Sequence, residues 1–210
     1  MNNNPANQDH VRPIPPQTNP DQLAKDLSIL CGKARESGAS DAVVISAGDV
    51  IFRPEIREKV SRQDAFPSIH WPLDYPKDNI EEAIRAYRKG ILFCVAAGEN
   101  LPDYGGGPID NPLHRNRYLL VYEIASILES ASFYMGHHLA MGFAVGNCRS
   151  VFCPDEKRCV PMLKGKPCIH PNIGRPSMEA AGMDALCMAE NAGWITDESR
   201  FLPVGLVMVD

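Results

Sequence analysis

The sequence predicts an α/β fold, a single compact domain of short buried strands and helices that carries an irregular cysteine-rich loop. Three observations support this fold class. Segments with helical periodicity alternate with short β-branched runs. The chain has 210 residues, which is enough for one substantial core. Its composition, 44% apolar and 22% charged, is that of an ordinary globular protein, and it argues against wholesale disorder, collagen, a coiled coil and a multi-span membrane protein.

The first 18 residues predict a disordered or extended tail, ahead of a domain over 19–210. Five of the 18 prolines lie within the first 20 residues, and large aliphatic side chains are scarce there. Such a segment cannot bury enough apolar surface to offset its ordering entropy. The alternative is an arm that wraps onto a partner subunit. The start of the chain also lacks the basic and apolar regions of an export signal, so we expect a cytoplasmic protein.

The first elements follow from local patterns. Apolar residues at helical spacing predict a helix over 21–37 that ends at Gly38. The run DAVVIS at 41–46 has the β-branched density of a short buried strand. Residues 54–63 are compatible with a short helix or with a loop. Three prolines among aromatic residues over 65–77 predict an irregular loop.

The middle of the chain predicts a helix and then a strand. Over 79–89, Asn79 is placed to cap, acidic residues lie near the start, and basic residues lie near the end. Gly90 ends this helix, and ILFCVAA at 91–97 predicts a buried strand. The glycine-rich stretch that follows lacks the spacing of a phosphate-binding loop, and we interpret it as a connector.

Three more elements are predicted in the second half. A long apolar helix is predicted over 116–143, with a possible break at Gly136. A further helix is predicted over 177–192 with Ser177 as its cap, and PVGLVMV at 203–209 predicts a closing strand.

No segment is predicted to enter a membrane, and no nucleic-acid partner is expected. The longest stretch without formal charge, 130–148, approaches bilayer length, but it contains His137 and His138 near its centre. We therefore interpret it as part of a buried core helix. The formal net charge of −5 does not favour binding to a polyphosphate backbone.

The cysteines are the main indication of chemistry. The chain has seven, and four of them fall between residues 148 and 168 with the spacing C-x4-C-x5-C-x8-C. Four thiolates on one loop can surround an inorganic core. Structural zinc sites usually contain tight C-x2-4-C pairs, and only the first spacing here fits that pattern, so the wide, uneven spacing suits a [4Fe-4S] cluster better than zinc. Disulfides or free thiols remain a third alternative. The candidate metal ligands are Cys148, Cys153, Cys159 and Cys168, whereas Cys31, Cys94 and Cys187 are interpreted as small hydrophobic residues.

Local charge and two neighbouring side chains bear on the same loop. Residues 148–175 contain six basic and two acidic side chains in an otherwise acidic chain. Cations near an anionic cluster stabilise it, and Arg149, His170 and Arg175 are the residues we expect around it. The alternative is that the charges form a solvated loop surface. For Arg175 we expect an ion pair with a carboxylate, such as that of Asp184 or Glu179, that braces the loop.

Other polar residues of this half are assigned to structural roles. His137 and His138 point about 100° apart on a helix and cannot share one metal, so we expect packing or capping, with contact to the site as the alternative. Glu179 would favour the first turn of a helix through the dipole. Glu123 and Glu129 are assigned to the solvent-exposed face of their helix.

The run CIHPNIGRPSMEAAGMDA from Cys168, followed by AENAG at 189–193, resembles an uncharacterised bacterial and archaeal family of predicted metal-binding proteins. In that family a cysteine-rich loop leads into an Arg-Pro-Ser-Met-Glu-Ala-x-Gly-x-Asp signature. The resemblance covers 116–210 well and the N-terminal half loosely. The positions that match are Cys168, Pro171, Arg175, Pro176, Ser177, Met178, Glu179, Ala180, Gly182, Met183 and Asp184.

The resemblance implies an iron–sulfur cluster bound by the four cysteines of the loop. It implies little about a reaction. Two departures are evident: the cysteine spacing is wider than a compact C-x2-C-x2-C form, and the segment 68–75 (SIHWPLDY) lacks the cysteines that the family carries around a Cys-Pro-Pro-Tyr motif. A second metal site is therefore not expected.

The sequence predicts a small cytoplasmic iron–sulfur protein that passes single electrons to or from a partner enzyme. The expected partner is a redox protein or further copies of the same chain in a homo-oligomer. No nucleophile elbow, HExxH motif or nucleotide-binding motif is present. One alternative is an enzyme that uses the cluster at a substrate site lined by His170, Arg175 or His138. The other is a zinc-stabilised structural or assembly protein.

Overall fold

The computed structural model describes residues 18–63, 79–96, 112–155, 167–194 and 202–210. Six helices and four strands lie in these ranges. In chain order they are α1 (Pro20–Glu36), β1 (Asp41–Ser46), α2 (Pro54–Gln63), α3 (Ile80–Arg85), β2 (Lys89–Cys94), α4 (Pro112–Tyr134), β3 (Met141–Phe143), α5 (Cys148–Phe152), α6 (Ala185–Asn191) and β4 (Val204–Met208). A short 3-10 turn at Ala47–Asp49 follows β1.

The four strands form one antiparallel sheet in the order β1-β2-β4-β3. The two central strands are buried along almost their whole length, which explains why their sequences are continuous apolar runs. Gly205 in β4 meets a strict steric limit, because a Cβ atom there would overlap the ring of Phe93 in β2. Only glycine therefore fits at this position beside Phe93.

Each face of the sheet supports its own hydrophobic core. One core lies between the sheet and the pair α1 and α4, and its largest buried side chains include Leu30, Phe93, Tyr122 and Leu128. The other lies on the opposite face, where α3 contributes Ile84, the turn before α6 contributes Met178 and Met183, and α6 contributes Met188. Helices on both sides of one sheet confirm the predicted fold class, a single compact domain of mixed α and β structure.

Several predicted elements are confirmed near their predicted positions: α1, β1 and β4. The 54–63 alternative is decided in favour of a helix, α2. The helix predicted over 79–89 is shorter than expected, because it ends at Arg85 and β2 already begins at Lys89. Asn79 does not cap it through its side chain, since its backbone is left-handed, with φ of 55°.

The long helix predicted over 116–143 is wrong at its C-terminal end, and so is the core helix predicted across 130–148. α4 stops at Tyr134, and Gly136, with φ of 101°, reverses the chain. The N–H of His137 donates to the carbonyl of Ser132 over 2.9 Å, the capping bond of a helix that ends in a glycine. The chain then enters β3, which pairs with β4. Within the described residues, no helix has the length and apolar character needed to cross a membrane.

The helix predicted over 177–192 is also shorter. The Oγ of Ser177 accepts a hydrogen bond from the N–H of Ala180, but this bond closes only a turn, and Gly182 interrupts it with φ of 83°. The helix α6 begins at Ala185, with Asp184 as its cap. Of the tail predicted over 1–18, all but Thr18 lies outside the described residues.

Candidate metal centre

The cysteine-rich region is attached to the domain by its two ends. The chain leaving β3 and the chain leading to α6 form a parallel bridge between Ala144 and Ser177. The N–H of Ala144 donates to the carbonyl of Pro176, and the N–H of Met178 donates to the carbonyl of Ala144, each over 2.9 Å. The segment with Cys148 and the segment after Cys168 are thereby fixed to the same edge of the fold.

The first two predicted ligands lie at opposite ends of α5. Asn147 caps this helix, because its side chain accepts a hydrogen bond from the N–H of Arg149 over 2.9 Å. Cys148 is the first helical residue, and Cys153 follows the last one and donates its N–H to the carbonyl of Arg149 over 2.7 Å. Both cysteines are half-buried. One short helix therefore presents two thiols and the half-buried Arg149 between them.

Cys168, the third described ligand candidate, accepts a backbone hydrogen bond at its sulfur. The N–H of His170 lies 3.4 Å from Sγ of Cys168. The chain then turns sharply, since the carbonyl of His170 accepts from the N–H of Gly174 over 2.8 Å. A Cβ atom on Gly174 would lie 3.1 Å from that carbonyl and 3.8 Å from the sulfur. The turn is thus closed tightly around Cys168.

Aromatic contacts connect the two cysteine-bearing segments. The His170 ring lies against Phe152 of α5, with the centroids 5.4 Å apart. Phe152 packs edge-on against Tyr122 of α4 at 5.1 Å. The ring of His170 therefore joins the segment of Cys168 to the helix that lies between Cys148 and Cys153.

Tyr122 is a neighbour of Cys148 that the sequence did not single out. It is fully buried, and its hydroxyl donates to the carbonyl of Val145 over 3.1 Å. Burial raises the pKa of this phenol well above its usual value, and negative charge on Cys148 and Glu179 acts in the same direction. The phenol consequently stays neutral beside the thiol. An apolar helix pattern marks such a position as core and does not reveal its contact with a cysteine.

Arg175 is buried, and it braces the loop as the sequence predicts, although with a different carboxylate. Its Nε donates to Oε2 of Glu129 over 2.5 Å, and its Nη1 and Nη2 donate to the carbonyl of Gly174 and the hydroxyl of Ser126. The prediction that Glu129 lies on the solvent-exposed face of its helix is therefore wrong, because its carboxylate is half-buried and pairs with Arg175.

The two carboxylates expected to bind Arg175 have other partners. Asp184 forms an ion pair with Arg53 at 2.6 Å. Glu179 accepts a hydrogen bond from the N–H of Gly146 at 3.4 Å, and it does not start a helix, so the dipole role predicted for it is wrong.

The two adjacent histidines lie in different surroundings. His137 is buried, with Nε2 3.2 Å from Oδ2 of Asp26 and Nδ1 3.5 Å from Oδ2 of Asp210. His138 is exposed and contacts the ring of Phe133. The packing role predicted for the pair therefore applies to His137, which joins α1 to the end of the chain.

Two of the three scattered cysteines lie in the core, as the sequence predicts for small hydrophobic residues, and Cys187 does not. Cys31 and Cys94 are buried. Burial raises the pKa of the Cys31 thiol and raises that of Cys94 to about 11. Cys187 is half-buried beside Arg53, whose pKa is raised by a hydrogen bond to Cys187 and by the charge of Asp184.

The described part of the candidate site contains three cysteine thiols, those of Cys148, Cys153 and Cys168. In the described ranges, no three His, Cys, Asp or Glu side chains converge as a complete metal site would require. Cys159, the fourth predicted ligand, and the basic residues Lys157, Arg158, Lys164 and Lys166 lie outside these ranges. Soft thiolate donors select zinc, copper(I) or iron–sulfur clusters. The three described thiols, with a backbone N–H directed at one sulfur, fit a metal of this class.

Comparison with known proteins adds one match. The model of a family described as "Predicted metal-binding protein (DUF2284)" matches residues 43–208, which is well over half of the chain. The matched range includes all four predicted ligands. No curated protein matches the chain, and no solved structure does.

Proposed function

The chain belongs to the DUF2284 family of predicted metal-binding proteins, and from this membership we propose that its metal is a [4Fe-4S] cluster bound by Cys148, Cys153, Cys159 and Cys168. The observation that carries the proposal is the hydrogen bond from the N–H of His170 to Sγ of Cys168. Backbone N–H groups directed at sulfur stabilise a thiolate and tune the potential of a cluster.

The arrangement of the thiols favours a cluster over zinc. Structural zinc sites are usually built on two cysteine pairs, each with two to four intervening residues. Cys148 and Cys153, at the two ends of α5, fit one such pair, but the eight residues between Cys159 and Cys168 are too many for the second. Cys168 comes from a separate segment that the Ala144–Ser177 bridge holds beside the first. Ligands this far apart along the chain suit a bulkier core.

We further propose that the protein is cytoplasmic and transfers single electrons to or from a partner redox protein or a second copy of itself. When bound, the cluster supplies one-electron redox chemistry. The alternative of a substrate site lined by His170, Arg175 and His138 is weaker. Arg175 directs its guanidinium at Glu129, Gly174 and Ser126, and the ring of His138 lies against Phe133.

Metal analysis of anaerobically purified protein tests the cluster. We expect about four iron and four sulfide per chain and a brown colour with absorbance near roughly 400 nm, because each iron takes one thiolate. Stoichiometric zinc without acid-labile sulfide would reject the cluster in favour of a zinc-stabilised structural protein.

Single serine substitutions test the ligands. Cys148→Ser, Cys153→Ser, Cys159→Ser and Cys168→Ser should each lose or convert the cluster. Cys187→Ser is the matched control, since Cys187 is also half-buried but lies in α6. Equal iron content in the control and in all four ligand variants would exclude these residues as ligands.

Voltammetry tests electron transfer independently of cluster content. Protein with a full cluster should give a reversible one-electron wave on an electrode. A full cluster that takes up and releases no electron would reject the electron-transfer role and leave the substrate-site alternative. If the one-electron wave is present, anaerobic co-purification identifies the partner redox protein.

A further inference from the structure

The exposed face of α4 is unusually apolar near its C-terminal end. Phe133 is 52% exposed and Tyr134 is 87% exposed. The rings of Tyr134 and His138 both meet Phe133 edge-on, with centroids 5.9 and 4.9 Å from it. Together with Glu129, Ser130, His137 and Ala140 these residues line a groove, here termed the aromatic groove. Exposed aromatic clusters of this kind mark interaction sites.

The N-terminal segment reaches the fold at one wall of this groove. Thr18 is held by three contacts: its N–H donates to Oδ2 of Asp210 over 3.0 Å, its carbonyl accepts from Arg88 over 2.8 Å, and its hydroxyl lies 3.5 Å from Nδ1 of His137. His137 is one of the residues that line the aromatic groove. The chain that precedes Thr18 therefore starts within a few residues of the exposed rings.

The composition of that preceding chain matches the chemistry of the groove. Residues 11–16 read VRPIPP, with three prolines and two aliphatic side chains. Proline-rich segments bind aromatic-lined grooves because their extended polyproline II conformation costs little entropy to order. At about 3.1 Å per residue, six residues reach about 19 Å. A segment of this length, attached beside Thr18, can extend along a groove that His137 shares with Phe133 and Tyr134.

We propose that residues 11–16 bind in the aromatic groove of the same chain, with the prolines against Phe133 and Tyr134. Attachment at Thr18 makes binding intramolecular, so the effective concentration of the segment is in the millimolar range. This favours the chain's own segment over an external peptide or the segment of a second copy. The proposal does not depend on the metal or on electron transfer.

The δ1 methyl group of Ile14 provides the test, in NMR spectra of the full chain labelled at isoleucine methyl groups. We expect nuclear Overhauser contacts from this methyl to the rings of Phe133 or Tyr134, and a resonance displaced by ring currents. Tyr134→Ser and Pro15→Gly should each remove the contacts and return the resonance to its position in the free peptide of residues 1–17. Leu186→Ser, at a similarly exposed position (58%) on α6, should leave them unchanged.

Two results would overturn the proposal. One is an Ile14 methyl at its free-peptide position in the unmodified chain. The other is a dimer in solution in which the contacts appear only between differently labelled chains, or in which Tyr134→Ser dissociates the dimer even after residues 1–17 are removed. Tyr134 is almost fully exposed, so loss of folding would not obscure either reading.

Discussion

Arg175 and Glu129 are 46 residues apart in the chain, and their side chains meet over 2.5 Å to tie the segment after Cys168 to the C-terminal part of α4. The second carboxylate oxygen of Glu129 accepts from the N–H of Gly142 in β3 over 2.6 Å. One side chain therefore holds both the edge strand and the return of the cysteine-rich loop.

Arg175→Lys should weaken metal retention without shifting the midpoint potential of the cluster that remains. Lysine keeps the charge but cannot reach Glu129, Gly174 and Ser126 together. The guanidinium faces Glu129, so its loss leaves the electrostatics at the cluster little changed. Iron released under a chelator challenge and protein-film voltammetry measure the two effects. Full retention at an unchanged potential contradicts the bracing role, and a lowered potential in Arg175→Met would place the cation at the cluster.

Arg175→Met should also lower the free energy of unfolding, because it leaves the half-buried carboxylate of Glu129 without its cation. Removing one partner of a buried ion pair costs about 3–5 kcal/mol. Arg35→Met is the control: Arg35 pairs with Asp41 at 3.0 Å on the surface, where such pairs contribute about 0–1 kcal/mol. Urea denaturation of metal-free protein compares the two, and equal losses would contradict the assignment.

Gly146→Ala should disrupt the backbone turn that leads into the cysteine-rich loop. Gly146 has φ of 63°, and a Cβ atom there would lie 2.5 Å from the ring of Tyr118. Gly136 also has positive φ, but a Cβ atom would meet nothing within 4 Å. In Gly136→Ala the free energy of unfolding should therefore fall only by the roughly 1–2 kcal/mol that the left-handed conformation costs a residue with a Cβ atom. This variant should keep its metal. Iron content and thermal unfolding of the two variants separate steric collision from strain, and intact metal binding in Gly146→Ala would contradict the prediction.

Asp210→Asn should destabilise the protein at neutral pH more than in acid. Burial raises the pKa of the Asp210 carboxyl, but hydrogen bonds from Thr18 and Arg88 outweigh it and hold the pKa below its usual value. A lowered folded-state pKa contributes stability above the unfolded value of about 3.9, and this stability is lost as the pH falls through the folded value. We expect a loss of about 1.5–3 kcal/mol at pH 7, the range for hydrogen bonds to a charged group.

Urea denaturation of the unmodified protein and of Asp210→Asn, at pH 7 and below about pH 4, measures how the loss of stability depends on pH. Asp41→Asn is the comparison, because a hydrogen bond from Trp194 lowers the pKa of Asp41 at a more exposed position, so its effect should be smaller. A loss in Asp210→Asn that is the same at both pH values would show that the carboxylate charge is not involved.

The thiols of reduced, metal-free protein should fall into two classes of reactivity. The raised pKa values of Cys31 and Cys94 leave little thiolate near pH 8, and burial limits access. Cys148, Cys153 and Cys168 are half-buried and should react with iodoacetamide much faster. Peptide mass spectrometry over time gives the rates. Modification of Cys94 at the rate of Cys168 in folded protein would contradict the assignment.

Local patterns predicted what local interactions determine. Short β-branched runs predict β1 and β4, and apolar residues at helical spacing predict α1. All three elements are confirmed. β3 was missed because its three residues gain their stability from pairing with β4, some 60 residues further on. The sequence continues an apolar pattern through this point and gives no sign that pairing would replace the helix beyond Gly136.

For the site, the residue types could be predicted and most of the contacts could not. The cysteines, His170 and Arg175 stand out by type and spacing. The partner of Arg175 could not be identified, because α4 reaches Arg175 only in the folded chain, and Glu129 resembles any exposed acid on a helix. Tyr122 was missed for the same reason.

The bridge between Ala144 and Ser177 has a consequence for how this region could change. Once both ends of a loop are fixed, lengthening it costs only the logarithm of its length, about 0.6 kcal/mol for each doubling. Insertions or deletions between residues 155 and 167 should therefore leave the sheet undisturbed. The spacing of the cysteines between Ala144 and Ser177 can therefore change while these two anchoring residues stay in place.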